Sequence, residues 1–260
     1  MDENYQQKFE EKLKLEISKI YLATKDKFDI FNANNSVDID VICKVLYVWG
    51  NSYCDYYNIY KKIIATPISN VLYIGAFCGQ GSYILSQMLG DKYKMEVIDD
   101  IGEYDKIKVV DILDGDDEEC LKECKKMFEK YEPDDEFVKN AFVHGKVIQK
   151  IRHKILDGLN IIQFEKRFAI EDLKNIVNLY GDTFVVTDIF AYKENWKLIY
   201  PLLICIEKMD KKISILFSLD VENYDSVFAI IKHLIPKNLK MECNWEEKQH
   251  KIFQILVTKD

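Results

Sequence analysis

Glycines and acids at regular spacing give the chain its clearest chemical signal. Gly75, Gly79 and Gly81 occur in the segment VLYIGAFCGQG, and the next apolar segment, MEVIDD, ends in Asp99 and Asp100. A glycine turn after a strand brings bare backbone to a ligand, and the helix that follows offers free N–H groups at its N-terminus. A carboxylate that ends the second strand can accept hydrogen bonds from both hydroxyls of a ribose. The spacing therefore predicts a nucleoside pocket.

A second candidate cluster follows a later apolar segment. Asp188 ends TFVVTD, and Lys193 follows on the same loop. Asp188 is predicted to act as a base or to orient a substrate, and Lys193 would act as a base if burial lowered its pKa. A structural acid cap and an exposed, salt-bridged lysine are the plainer alternatives. Asp220 and Asn223 follow the next strand but are not adjacent, so no metal site is predicted, because hard metal ions need several converging oxygen ligands.

An alternating α/β chain is required to bring these residues together. Apolar segments predict strands at 71–74, 95–98, 160–164, 183–187 and 213–219, with helices near 81–89, 170–180, 197–209 and 225–234. This alternation favours parallel pairing with helices on both faces of the sheet. After Pro236, the segments Leu239–Trp245 and Lys251–Thr258 predict a closing antiparallel hairpin.

Two regions are predicted to be helical additions to that sheet. Residues 1–66 are expected to form a helical N-terminal cap, and residues 67–260 the α/β domain. Within that domain, residues 101–158 are longer than a usual crossover and are expected to form a helical insertion. It would contain an acidic helix at Asp117–Tyr131 and a longer helix that begins after Pro133 and ends near Gly158. Part of the insertion is predicted to lie over the carboxyl ends of the strands, and both additions together are expected to cover the substrate pocket.

Composition limits the cellular compartment and the binding partners that the chain is expected to have. The net charge of −8 and the pI near 5.2 argue against a nucleic-acid partner, because nucleic-acid affinity depends on clustered Lys and Arg. Seven cysteines without paired spacings indicate reduced thiols, and the polar N-terminus predicts neither a signal peptide nor a membrane span. We therefore expect a cytoplasmic protein with no membrane or nucleic-acid partner; a homo-oligomer is compatible with the sequence.

The segment VLYIGAFCGQGSYIL resembles the cofactor motif of class I S-adenosylmethionine-dependent methyltransferases. It is closest to the catechol O-methyltransferase-like version, in which an aromatic residue, here Phe77, replaces the middle glycine. The resemblance covers 71–100 well and the later strand order more loosely, and it implies a Rossmann-like, mostly parallel sheet with a C-terminal antiparallel hairpin. It implies S-adenosyl-L-methionine as cofactor, with Asp99 on the ribose. The residues expected to line its methionine and adenosine moieties are Gly75, Ala76, Phe77, Cys78, Gly79 and Gly81.

Two segments compete for the strand beside the adenine. KIKVVDILDG would place Asp111 near the adenine amino group, whereas NIIQFEKRFA would place Glu165 there. The helix and strand that follow the second segment reproduce the third-to-fourth strand order of the family. Glu165 is therefore the favoured residue, and Asp111 would belong to the insertion.

The resemblance implies methyl transfer to O or N of a small-molecule acceptor, and two alternatives stay open. Many family members carry an acid at the position where this chain has Tyr73. The absence of that acid favours a non-catalytic Rossmann-like binding or interaction module. The glycine spacing also fits an NAD(P)-dependent oxidoreductase, but Phe77 and Cys78 fill space that a pyrophosphate needs. The YxxxK pair that such an enzyme would use, Tyr57 and Lys61, precedes the turn.

Overall fold

The structure is a computed structural model that describes residues 4–24, 53–68, 70–99, 107–108, 142–143, 145–191, 193–244 and 252–259. In these ranges the α-helices are α1 (Asn4–Thr24), α2 (Tyr53–Ile64), α3 (Gln80–Leu89), α4 (Gly145–Leu156), α5 (Ile170–Tyr180), α6 (Ile199–Lys208) and α7 (Val221–Leu234). The strands are β1 (Asn70–Ile74), β2 (Lys94–Asp99), β3 (Ile107–Lys108), β4 (Phe142–Val143), β5 (Ile161–Glu165), β6 (Thr183–Thr187), β7 (Ile213–Asp220), β8 (Leu239–Asn244) and β9 (Ile252–Lys259).

Seven of these strands form one mixed sheet in the order β5-β2-β1-β6-β7-β9-β8. The first five in that order are parallel, and β9 and β8 close the sheet as an antiparallel hairpin. The predicted Rossmann-like fold class is thereby confirmed. The chain passes from β1 to β2 on one side and reaches β6 on the other, so β1 marks the switch point where α/β sheets open a crevice for ligands.

The choice between the two third-strand segments is settled by pairing. β5, from the segment NIIQFEKRFA, pairs in parallel with β2, as favoured. Ile107–Lys108, from the competing segment, instead forms a separate two-stranded ladder with Phe142–Val143. Because Phe142–Val143 is a strand, the helix that ends at Leu156 begins at Gly145; the part of the predicted helix between Pro133 and Phe142 lies outside the described residues. Asp111 and the predicted acidic helix at Asp117–Tyr131 lie outside the described residues.

The chain divides into two compact units. One contains α1, the β3–β4 ladder, α4 and residues 77–80; the other contains the seven-stranded sheet with α2, α5, α6, α7 and α3 from Gly81 onward. Helix α2 lies in the sheet unit, although its sequence was assigned to the cap. The cap boundary at residue 66 stays a prediction.

The core of the sheet unit follows from strand alternation. Side chains of alternate residues lie on one face of the sheet, so Leu72 and Ile74 of β1 are buried together with Val185 of β6 and Phe217 of β7. Apolar residues of α5, α6 and α7 join the same cluster, including Leu173, Leu203 and Val227. Every residue of β1 and of β6 is buried, so both faces of these strands are covered, as expected for central parallel strands.

The other unit is held by two amphipathic helices. Phe9, Leu13 and Ile17 of α1 are buried at helical spacing, and so are Ile151 and Ile155 of α4. The Lys12 ammonium donates a 2.6 Å hydrogen bond to the carbonyl of Ile155, which ties α1 to α4. Across the described ranges, no helix is long and apolar enough to cross a membrane.

Candidate functional site

Predicted site residues lie in one row across the carboxyl edge of the sheet. Ile74 of β1 is in register with Ile98 of β2 and Thr187 of β6, so the next residues along, Asp99, Gly75 and Asp188, lie side by side. Two hydrogen bonds extend the ladder to this row: Gly75 N–H donates to the Ile98 carbonyl, and Asp188 N–H to that of Ile74, both at 3.0 Å.

The row continues on both sides of these three residues. Glu165 of β5 is in register with Asp99, and Ser218 of β7 follows the Thr187–Phe217 pair, which places it opposite Asp188. Strand pairing thus gathers Glu165, Asp99, Gly75 and Asp188 from four separate parts of the sequence. Three carboxylates and a glycine at a switch point form a polar edge suited to a ligand rich in hydroxyl or amino groups.

Tyr73, where the sequence departs from the family motif, contacts the candidate catalytic acid directly. Its hydroxyl donates a 2.5 Å hydrogen bond to Asp188 Oδ2. Tyr73 precedes Gly75 by two residues and therefore lies on the same face of β1. Only 1% of the tyrosine is exposed, so the hydrogen bond is shielded from water. A buried phenol that would otherwise be unsatisfied thereby obtains its partner.

Burial governs the protonation of this pair. It raises the pKa of Asp188 to about 7; hydrogen bonds from Tyr73 and Ser218 oppose that rise, and the nearby Asp99 carboxylate adds to it. Burial also raises the pKa of Tyr73 well above its ordinary value, and the negative charge of Asp188 acts in the same direction. Near neutral pH Tyr73 is therefore a neutral donor, whereas Asp188 exists in both its protonated and ionised forms.

The two acids predicted to bind the nucleoside end adjacent strands. Asp99 is the last residue of β2 and is 8% exposed, and its backbone carbonyl accepts a 3.1 Å hydrogen bond from Lys166 N–H. Glu165, the last residue of β5, is half-buried. Their pairing brings both carboxylates to the same edge, and their roles on ribose and adenine stay predictions.

Two of the predicted glycines make room for the protein itself. Gly75 has a φ of +85°, and a Cβ there would lie 2.8 Å from Ile189 Cγ2. A Cβ on Gly81 would lie 2.8 Å from Tyr56 Cε1 and would also collide with the Tyr73 ring. Side chains of the sheet unit therefore fill the space that these glycines leave open, so a ligand would have to meet the turn through its backbone groups.

Residues 77–80 belong to the first compact unit. Phe77 has a φ of +48°, in the left-handed region, and Gly79 one of +92°. The Phe77 carbonyl accepts a 2.9 Å hydrogen bond from Arg152 Nη1 on α4. The Cys78 side chain in this turn is buried, and so is Ala76 in the sheet unit. The predicted cofactor contacts of these residues stay predictions.

Lys193 lies in an exposed position. It begins the 3-10 segment Lys193–Leu198, which is anchored by hydrogen bonds from Asn195 Nδ2 to the Ile189 carbonyl and from Trp196 Nε1 to the Phe190 carbonyl. The burial that would make a lysine a base at neutral pH is missing at this position. Lys193 as a catalytic residue remains a prediction that the geometry does not favour.

Other candidate groups can also be located. On α2 the Lys61 ammonium lies 4.3 Å from the centre of the Tyr57 ring, so this YxxxK pair is engaged in a cation–π contact of its own. In the part of the chain that the structure describes, no three His, Cys, Asp or Glu side chains come together in a way that could hold a metal ion.

Sequence reasoning missed the functional contacts of Ser218 and Arg152. Ser218 has no motif around it, and only the register of β7 against β6 brings it to Asp188. Arg152 follows Ile148 by four residues and precedes Ile155 by three, which puts it on the buried stripe of α4. That spacing was visible in the sequence; Lys150, His153 and Lys154 on the same helix are exposed.

Comparison with solved structures returns methyltransferases at low similarity. The O-methyltransferase from Bacillus cereus in complex with SAH is 11% identical, with a TM-score of 0.44 over 94% of this chain and 100% of that one. TomG, the O-methyltransferase from Streptomyces achromogenes involved in tomaymycin synthesis, in complex with SAM, is 8% identical, with a TM-score of 0.43 over 88% and 93%. The SAM-dependent O-methyltransferase from Thermotoga maritima is 9% identical, with a TM-score of 0.39 over 84% and 71%.

No family model and no curated protein sequence matches the chain.

Proposed function

We propose that the protein is an S-adenosylmethionine-dependent methyltransferase that acts on O or N of a small-molecule acceptor. The observation that carries the proposal is the row Glu165, Asp99, Gly75 and Asp188 at the carboxyl edge of the sheet, with β1 at the switch point. The order of groups along this row matches what an adenosyl cofactor and an adjacent acceptor require. Glu165 and Asp99, at the ends of β5 and β2, would bind the nucleoside. Asp188, at the end of β6, would contact the acceptor.

The residues of the row fit the cofactor by their chemistry. The Asp99 carboxylate offers two acceptor oxygens, the complement of a ribose diol, and Glu165, which is in register with Asp99, would accept a hydrogen bond from the adenine amino group. Gly75, Ala76 and Gly81 contribute backbone, and Phe77, Cys78 and Gly79 are carried in the proposal from the sequence motif. When bound, S-adenosylmethionine supplies a methyl group that its sulfonium makes electrophilic. The protein therefore needs to position an acceptor and exclude water more than it needs strong acid–base catalysis.

Asp188 is the group proposed to handle the acceptor's proton. Its pKa of about 7 suits a base at neutral pH, since the ionised form is populated and the protonated form is not strongly acidic. Tyr73 holds Oδ2 in place through its hydrogen bond, and this fixes the direction of the carboxylate. Lys193 is exposed, so it is not proposed as the base; its ammonium orients the acceptor or remains in solvent.

Parallel titrations of the wild-type protein separate the proposal from a nicotinamide enzyme. We expect saturable heat with S-adenosylhomocysteine and none with NADH, and the reverse result would contradict the methyltransferase proposal. Transfer of a labelled methyl group from S-adenosylmethionine to a panel of phenols, catechols and amines then tests the acceptor class. Transfer by the wild type that is lost in Asp188→Asn supports the base; equal transfer by both proteins contradicts it.

A non-catalytic Rossmann-like module is the second candidate, and one observation favours it. Tyr73 occupies the position where the motif usually carries an acid, and its ring, with that of Tyr56, closes the space over Gly81. Such a module would bind neither S-adenosylhomocysteine nor NADH. The same pair of titrations therefore distinguishes it from both enzymes.

A further inference from the structure

Helix α4 carries a fully buried arginine that the proposed function leaves unexplained. Arg152 has 0% of its surface exposed, whereas Lys150, His153 and Lys154 on the same helix are exposed. Removing a guanidinium from water is unfavourable unless polar groups of the protein replace the water. The polar groups that Arg152 contacts should therefore compensate for the unfavourable free energy of burying its guanidinium.

One contact of Arg152 is with the backbone of the glycine turn. Its Nη1 donates a 2.9 Å hydrogen bond to the carbonyl of Phe77. The φ of Phe77 is +48°, a conformation that non-glycine residues adopt rarely because the Cβ crowds the backbone. A hydrogen bond from a charged donor is stronger than a neutral one, so Arg152 stabilises the turn at its least favourable residue.

The same side chain also packs on the turn two residues later. A Cβ on Gly79 would lie 3.3 Å from Arg152 Cγ and 3.4 Å from Leu156 Cγ. The φ of Gly79 is +92°, so this position suits glycine on two grounds: its conformation and the close approach of α4. Helix α4 thus contacts the turn at Phe77 through a hydrogen bond and at Gly79 through packing.

We propose that Arg152 is a positioning residue for cofactor binding, which holds the turn at Phe77–Gly79 in its binding conformation through the Phe77 carbonyl. This inference rests on the proposed function, because it assigns the turn to an adenosyl cofactor. It also changes the role of the inserted segment, which was expected only to cover the acceptor. Part of that segment, α4, orders the backbone that meets the cofactor.

Replacement of Arg152 tests the proposal, with Lys12 as the matched control. Arg152→Met removes the hydrogen bond to the turn, and we expect the Kd for S-adenosylhomocysteine to rise about tenfold, the effect of losing one charged hydrogen bond. Arg152→Lys retains a charged donor and should restore part of the affinity. Lys12→Met removes a comparable side-chain-to-carbonyl hydrogen bond, to Ile155 of the same helix, and should leave the Kd unchanged. A wild-type Kd in both Arg152 variants would overturn the proposal.

A second readout does not depend on any ligand. The carbonyl ¹³C chemical shift of Phe77 in the free protein reports its hydrogen bond, so it should move in the Arg152 variants and stay in place in Lys12→Met. If Arg152→Met does not fold, Arg152→Lys carries both measurements. If the wild type binds no S-adenosylhomocysteine, the proposed function fails, whereas an unmoved Phe77 shift in Arg152→Lys and Arg152→Met would show that the positioning contact itself is absent.

Discussion

The Tyr73 hydroxyl donates its hydrogen bond to Asp188, 115 residues further along the chain. The residue that departs from the cofactor motif is thus bonded to the acid proposed to act on the acceptor. Tyr73 does not replace the missing carboxylate as an anion, since burial keeps its hydroxyl protonated. Tyr73 takes the place of the missing carboxylate as a hydrogen-bond donor that fixes the Asp188 side chain. The same hydrogen bond lowers the pKa that burial would otherwise give Asp188.

Tyr73→Phe tests that relationship. The hydrogen bond from Tyr73 favours the ionised form of Asp188, so its loss should raise the pKa of this carboxyl above the value of about 7 that it has in the wild type. The pKa is measured from the pH dependence of the Asp188 carboxyl ¹³C shift. In a methyl-transfer assay the acid limb of the pH profile should move to higher pH in the same variant.

Tyr57→Phe is the matched control, because this substitution removes the same hydroxyl at a different place, on α2 beside Lys61. It should leave the Asp188 titration where it is. An Asp188 pKa that falls, or stays the same, in Tyr73→Phe would contradict the role assigned to the hydrogen bond.

Glu96 predicts a pH dependence of stability that is separate from the site. It is 0% exposed on β2, with Lys94 Nζ 3.7 Å from its Oε1, and burial raises its pKa to about 7. The folded protein therefore holds this proton more tightly than the unfolded chain does. The resulting stability is present below about pH 4.5 and is lost as the pH rises to about 7, with a total on the order of 3 kcal/mol.

Glu96→Gln removes that titration and should make the protein more stable at pH 8 than the wild type, with a smaller difference at pH 5. Urea unfolding at the two pH values measures the change in the free energy of unfolding. Asp188 contributes a dependence of the same sign to both proteins, because its pKa is also raised. Glu10→Gln, at an exposed position of α1, should not alter the difference between the two pH values. A Glu96→Gln variant that is less stable than the wild type at pH 8 would refute this account.

Gly81→Ala tests whether the glycine serves the protein's own packing. The added Cβ would collide with the Tyr73 and Tyr56 rings. We therefore expect the free energy of unfolding of the ligand-free protein to fall by about 1–3 kcal/mol, although alanine is otherwise favoured in a helix. Ser82→Ala is the neighbouring control on α3. The Ser82 hydroxyl is buried and has no hydrogen-bond partner among the described residues, so its removal should be neutral or stabilising. Thermal or urea unfolding of ligand-free protein would contradict the packing role if both variants matched the wild type.

The elements of the sheet could be predicted from the sequence because strand and helix periodicities are local. The segment 183–187 was predicted as a strand and forms β6, and the predicted hairpin forms β8 and β9. The helix that ends near residue 158 was predicted too long at its start. A two-residue pairing such as Phe142–Val143 with Ile107–Lys108 leaves no periodic signal.

The contacts within the site depend on register, which the sequence does not reveal. Asp99 and Glu165 were proposed from a motif, but nothing in either segment shows that the two residues are paired. Tyr73 was identified as a missing acid, and its bond to Asp188 follows only once β1 and β6 are adjacent. The glycines were interpreted as room for a ligand, because a sequence cannot show that Ile189 and Tyr56 occupy that room.

Isothermal titration of S-adenosylhomocysteine into the wild type, Asp99→Asn and Asp91→Asn tests the central claim most directly. Asp91 is exposed in the turn after α3 and controls for the loss of one negative charge. We predict one saturable site in the wild type and in Asp91→Asn, and an affinity about 10–100-fold lower in Asp99→Asn, since a charged acceptor of ribose hydrogen bonds is lost. No detectable heat and no thermal stabilisation with the wild type, or equal affinity in all three proteins, would contradict the claim that this row of residues binds an adenosyl cofactor.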